Sequence, residues 1–201
     1  MYELGASLEV DEVRPGTNLL VSGPPLSGKA ALGYELLEHG ARAGEGSIVV
    51  TNTDSAERVR ADVPSLFDHG APVGVVDCVT KHQGHGTIAD TALVQYVSSP
   101  EDMTGIGIKA SRLLEEFYRE RGVTRNRVLF RTVSTLLHYA DVQTVFRFLH
   151  VFTSRLESAD ALGLFVVEAG AHDEQTMNTI SQLFDGVLQL DADGAVTVRL
   201  A

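Results

Sequence analysis

Apolar positions along the chain fall into short β-branched runs separated by longer stretches of helical spacing. The runs predict strands at 18–22, 47–52, 73–78, 93–97, 128–133, 162–168, 186–190 and 196–200. Runs such as LFVV and SIVV have no polar alternation, so they read as strands covered on both faces, the mark of a mainly parallel sheet between helices. The final two, GVLQL and AVTVRL, are joined by Asp191-Ala192-Asp193-Gly194, a turn signal that predicts an antiparallel hairpin. The expected fold is an α/β three-layer sandwich with that hairpin at one edge.

Helix signals fill the intervals. Ser99-Pro100-Glu101-Asp102 offers an N-cap, a proline in the first turn and acids near the positive end of a helix expected to run to about Arg121. Asp141 caps another, along which Val142, Val145, Phe146, Leu149, Phe152 and Leu156 form one apolar stripe. Phe148 and Val151 lie off that stripe and read either as extra core or as a partner-facing patch.

Length and composition then limit the class. A chain of 201 residues, 44% hydrophobic and without a low-complexity tract, is enough for one domain with one substantial core. The opening residues are acidic where a secretory signal is basic, and no segment nears the length of a membrane span, so a soluble cytoplasmic protein with no membrane partner is expected. Cys78 is the single cysteine, which excludes an internal disulfide.

The formal charge is −11, and only Lys29, Lys81 and Lys109 are lysines among 16 basic residues. Scarce lysine with dispersed acid suits a KCl-rich cytoplasm, where the Debye length falls to about 3 Å at 1 M and carboxylate repulsion is screened. Without a basic stripe, nucleic acid is not an expected partner.

The chemistry concentrates at VSGPPLSGKAALGY, residues 21–34. An apolar strand, a loop bounded by Gly23 and Gly28, and a helix follow in the order of a phosphate-binding loop, G-x-x-x-x-G-K-[ST]. Gly23, Pro24, Pro25, Leu26, Ser27, Gly28, Lys29 and Ala30 are the candidate nucleotide-binding residues. Backbone N–H groups and the helix N-terminus would face the phosphates and Lys29 would reach them as a point charge. Ala30 stands where the motif carries a hydroxyl that ligates Mg²⁺, so the first metal ligand is missing.

Together PGTNLLVSGPPLSGKAAL, SIVVTNTDSAERV, RVLFRTVSTLL and LFDGVLQLDADG resemble the RecA superfamily, in particular the KaiC-like group, over nearly the whole chain; with the lysine count, the resemblance points to a branch from halophilic archaea. It implies a RecA-like sheet, ATP as the ligand and self-association into a homo-oligomer. It also places Arg131 where the family's Walker B strand ends in a metal-binding aspartate, and Thr53 and Asp54 where active members carry an acid pair that orients the attacking water. Asp54 is therefore the one candidate catalytic residue, with a helix cap or turn as its alternative role.

A guanidinium about 5 Å from a cation, at an effective dielectric of 20, repels it by roughly 3 kcal/mol per unit charge product, and magnesium is divalent. Arg131 is expected to exclude Mg²⁺ and either to contact phosphate itself or to form a salt bridge, for example with Glu168. The reading that follows is a degenerate P-loop module acting through protein partners, with little or no hydrolysis. An ATPase or autokinase using Lys29, Asp54 and Glu168 through an atypical metal site is the alternative. Cys78, His82 and His85 have zinc-like spacing but no fourth ligand, and no metal is expected there. Gly105 and Gly107 fit close helix packing, and Ser134, Thr135 and His138 lack the glycine elbow of a nucleophile, leaving His138 as a structural histidine.

Overall fold

In the computed structural model, which describes residues 1–5, 8–84 and 88–200, eight strands form one sheet in the order β10-β9-β3-β8-β7-β4-β5-β6. These are β3 (Asn18–Gly23), β4 (Gly46–Thr51), β5 (Val73–Asp77), β6 (Val94–Tyr96), β7 (Asn126–Arg131), β8 (Leu162–Glu168), β9 (Gly186–Leu190) and β10 (Val196–Leu200). Every pairing is parallel except β9 with β10, the closing hairpin. Two short strands, β1 (Tyr2–Glu3) and β2 (Glu12–Val13), pair separately. The three-layer α/β architecture is as expected.

Alternation along each strand divides the core in two. Leu20, Ile48, Val50, Val128, Phe130, Phe165 and Val167 face one layer of helices: α3 (Met103–Arg119), α4 (Val133–Tyr139), α5 (Val142–Ser158) and α6 (Glu174–Ser181). Leu19, Val21, Val49, Leu129, Leu164 and Val166 face the other layer, α1 (Lys29–Arg42) and α2 (Ala56–Asp62), together with β1 and β2. Strands buried on both faces need no polar alternation, which is why their sequence runs are uninterrupted.

Phe165 is the hub of the first layer. Its ring lies 5.9 Å from Phe130, 6.0 Å from Phe152 and 5.0 Å from Phe184, a range of stacked and tilted contacts that add to plain area burial. On the far side the fully buried Arg127 donates to Glu45 Oε2 at 2.6 Å, to the Leu36 carbonyl and to the Glu3 carbonyl, tying β1 to β7 and α1.

Several boundaries differ from those read along the chain. The helix after β6 starts at Met103, capped by Asp102, whose carboxylate accepts from Gly105 N–H at 2.8 Å, and not at Ser99-Pro100. Asp102 offers a charged acceptor with better reach to the third helical N–H than the Ser99 hydroxyl, and Pro100 ends up in the preceding turn. Gly105 is required there, since an added Cβ would lie 2.5 Å from Asp102 Oδ2. The strand read as 128–133 is β7, ending two residues earlier, because Thr132 caps α4 by accepting from Ser134 N–H. Asp141 does cap α5. Phe148 packs on Phe130 and Phe152 as core, whereas Val151 is half exposed. Among the described residues no helix is long and apolar enough to cross a membrane.

Candidate functional site

Parallel strands end together, so the C-terminal tips of β3, β4, β7 and β8 bring their last residues to one rim, the place where open α/β sheets bind ligands. The tips carry Gly23, Thr51, Arg131 and Glu168. Between them and the start of α1 lies a cleft of about 440 Å³ lined by Leu26, Gly28, Lys29, Ala30, Ala31, Thr53, Arg131, Thr132, Val166 and Glu168.

The loop of residues 23–28 closes tightly. Gly23 must be glycine, because a Cβ would stand 2.8 Å from Ser27 Oγ and 2.9 Å from the Leu190 carbonyl. Gly28 enters α1 at φ +89, and Leu26 adopts φ +61 with its side chain fully exposed. α1 has no side-chain cap and no acid in its first turn. Each of the other five α-helices is capped by a side chain: Ser55, Asp102, Thr132, Asp141 and Asp173. An uncapped helix start leaves its first N–H groups to solvent or to an anion.

Both cations of the cleft have carboxylate partners. Lys29 Nζ donates to the Pro24 carbonyl and lies 3.3 Å from Glu168 Oε1. Arg131 Nη1 is 2.9 Å from Asp54 Oδ2, and its guanidinium reaches toward Tyr34 one turn into α1, with the hydroxyl at 3.5 Å and the ring centroid at 5.9 Å. Burial raises the Tyr34 pKa, opposed by the Arg131 contact.

Two sequence expectations are thereby corrected. Arg131 pairs with Asp54 and not with Glu168, because the β4–β7 register sets Thr51 beside Arg131 and delivers the chain leaving β4 to the guanidinium. Asp54 does not cap α2, since Ser55 does, accepting from Arg58 N–H at 3.1 Å. Asp54 instead sits in a turn held by Thr51, whose hydroxyl donates to the Asp54 carbonyl and accepts from its N–H. Thr53 is exposed and donates to Asp54 Oδ2.

The residues suit phosphate better than a metal. An uncapped helix start, an open Gly28, Lys29 and a buried Ser27 Oγ with no partner in the protein are the donors an anion requires. Among the described residues, the carboxylates beside these strand tips, Asp54 and Glu168, are both ion-paired. Ala30 has no oxygen, Asp54 is neutralised by Arg131, and Glu168 is neutralised by Lys29. Magnesium does not fit this donor set.

Behind Glu168 lies a cluster that includes Ser134 and His138, the latter expected from the sequence to be a structural histidine. Ser134 Oγ accepts from Glu168 N–H at 2.9 Å and is 2.9 Å from His172 Nε2, whose ring lies 5.4 Å from that of His138. Burial lowers the His172 pKa, and His138 lowers it further. His138 is exposed, not a satisfied core histidine, and the missed partner is His172, 34 residues downstream of it. Nothing local marks that pair, because β8 alone brings the two segments together. Of the zinc-like trio, Cys78 is wholly buried with its thiol pKa pushed up by burial, His82 is exposed, and His85 lies outside the described residues. Among the described residues, no group of three or more metal-ligating side chains is gathered.

The family model that matches, over residues 16–190, is DUF7504, described as a family of unknown function. The chain belongs to the DUF7504 family. No curated protein matches it. Among solved structures, this DUF7504 chain is similar to a KaiC-like protein from the hyperthermophilic archaeon Pyrococcus horikoshii OT3. That likeness has a TM-score of 0.60 at 16% identity and covers 92% of this chain and 76% of the other. At that identity the likeness speaks for the fold and not for the activity.

Proposed function

We propose that this DUF7504 chain is a degenerate RecA/KaiC-like P-loop module of a salt-rich cytoplasm, which binds ATP through the loop of residues 23–30 without hydrolysing it at a useful rate and regulates protein partners. The observation that carries the reading is the pairing of both cleft cations, Lys29 with Glu168 and Arg131 with Asp54. A phosphate entering the cradle exchanges Glu168 for its own oxygens at Lys29, so occupancy is signalled to β8 as a released carboxylate. Arg131, already in the cleft wall, supplies fixed positive charge where active relatives rely on a metal. Asp54, the carboxylate to which the family resemblance gives the role of orienting water, is engaged by that guanidinium, which removes its use as a base.

Titration of ATP and of ATP with Mg²⁺ into the protein in molar KCl, followed by calorimetry, tests the binding. The expected result is micromolar-range affinity that changes little when Mg²⁺ is withheld and falls about tenfold or more in Lys29→Ala, the loss of one charge-assisted phosphate contact. Steady phosphate release abolished by Lys29→Ala would replace this reading with the ATPase or autokinase one. No ATP binding at any salt concentration would leave a purely structural module.

A further inference from the structure

On the opposite helical layer from α1, the first turns of α3 and the middle of α5 enclose a groove of about 540 Å³. Its walls include Thr104, Ile108, Arg147, Phe148, Val151 and Arg155. It continues past Leu114, His150 and Ser154 toward the C-terminal end of α5. Gly107 lines the groove, and a Cβ there would crowd Arg155 Nη1 at 3.1 Å. Ile108 and Val151 stand half exposed on its two rims, 50% and 51%, although both are large and apolar. An apolar surface on each of two adjacent helices, left open to water, is what a third helix covers.

The helical walls of the groove lack the acids found over the rest of the molecule, and Glu101 and Asp102 stand only at its α3 end. Twenty-seven acids are dispersed over the chain, yet residues 142–156 of α5 contain none, and neither do residues 103–112 of α3. Most arginines of this protein pair with a carboxylate, as Arg42, Arg58, Arg112, Arg119, Arg121, Arg125, Arg127 and Arg131 do. Among the described residues, Arg147 and Arg155, by contrast, have only neutral partners: the Thr144 hydroxyl for Arg147, and the Gly107 carbonyl and Ser111 hydroxyl for Arg155. At the α3 end of the groove, Glu101 Oε2 is enclosed without a hydrogen-bond partner among the described residues.

From these observations we infer that the α3/α5 groove docks an acidic amphipathic helix of a partner protein. Its apolar side covers Ile108, Phe148 and Val151, its carboxylates meet Arg147 and Arg155, and a backbone or side-chain donor meets Glu101. In molar salt the exposed charge pairs are screened, so the apolar face supplies affinity and the two arginines select the partner's sign and register. This inference gives chemistry to the protein partner in the proposed function and rests on that part of the reading alone. It does not require ATP to bind.

The probe is a labelled helical peptide of about 14 residues, with leucines at i, i+3, i+4 and i+7 and glutamates flanking them, together with a twin carrying lysine for glutamate. Anisotropy is measured on the full chain without nucleotide, at 0.15 M and 2 M KCl. The expected result is that the glutamate peptide binds about tenfold or more tightly than its twin at the lower salt. Val151→Glu should weaken it about tenfold, as should Arg147→Glu with Arg155→Glu, each with an unchanged thermal midpoint. Amide exchange should show protection confined to α3 and α5. Equal binding of both peptides, indifference to Val151→Glu, or protection elsewhere would overturn the inference. Concentration-dependent self-association lost in Val151→Glu would also overturn it, by assigning the groove to a second copy. Failure of the ATP titration with success here would remove the nucleotide reading and leave the docking site standing.

Discussion

Arg131, the last residue of β7, is held 2.9 Å from Asp54 in the turn after β4, so the two form a single ion pair across neighbouring strands. Both side chains are about a quarter exposed, so the pair is partly screened and its contribution to stability is modest. Its consequence is chemical. Each charged group is turned to the other.

Reversing that arrangement is expected to create a metal site. Arg131→Asp with Ala30→Thr supplies the missing hydroxyl and frees Asp54 beside a second carboxylate, and should make ATP affinity depend on Mg²⁺ by about tenfold, the effect of one additional charged ligand. Calorimetric titration with Mg²⁺ and with EDTA checks it, and identical affinity in the two would refute the placement of Arg131.

The buried Arg127–Glu45 pair predicts a large stability loss from a single truncation. With Glu45→Ala, the fully buried guanidinium keeps two carbonyl acceptors and no counter-charge, a change that costs about 3–5 kcal/mol. Urea unfolding should show the midpoint falling at constant slope, and Glu45→Gln, which keeps an acceptor, should lose less.

Phe165→Ala is expected to cost about 3–5 kcal/mol, because the ring fills the space among Phe130, Phe152 and Phe184 and its removal opens a cavity that rigid strands cannot close. Phe165→Leu should cost under about 1.5 kcal/mol. Equal losses in the two variants would mean the cluster repacks freely.

Acid should expose the histidine cluster. The His172 pKa is lowered in the folded state from its ordinary 6.5, first by burial and then by His138, so the unfolded chain takes up the proton first. Its contribution to stability is complete above pH 6.5 and is lost as pH falls below that value. In thermal melts from pH 7.5 to 5, His172→Gln, which can still bond Ser134, should flatten the decline. The exposed His69→Gln should leave it unchanged, and equal behaviour of the two would refute the assignment.

Local signals read well where one segment decides its own state. The runs 162–168, 186–190 and 196–200 became β8, β9 and β10 with the expected ends, because apolar β-branched content and the Asp193-Gly194 turn act within a few residues. Ends set by competing caps were less legible. Ser99 and Asp102 both offer an acceptor, and Val133 suits a strand or a helix, so the outcome rests on which backbone N–H groups each cap meets in the folded chain.

By itself the sequence determined the class of this protein: a parallel sheet covered on both faces, a glycine-bounded loop between a strand and a helix, and an alanine directly after its lysine. Those properties follow from residue type and spacing of under about ten positions. The tertiary structure alone decided that Arg131 faces Asp54 and Glu168 faces Lys29, that His172 joins Ser134, and that α3 and α5 leave an open groove. Each of these joins residues dozens of positions apart, and the register of parallel strands, which side-chain pattern along one segment does not encode, sets which charge meets which.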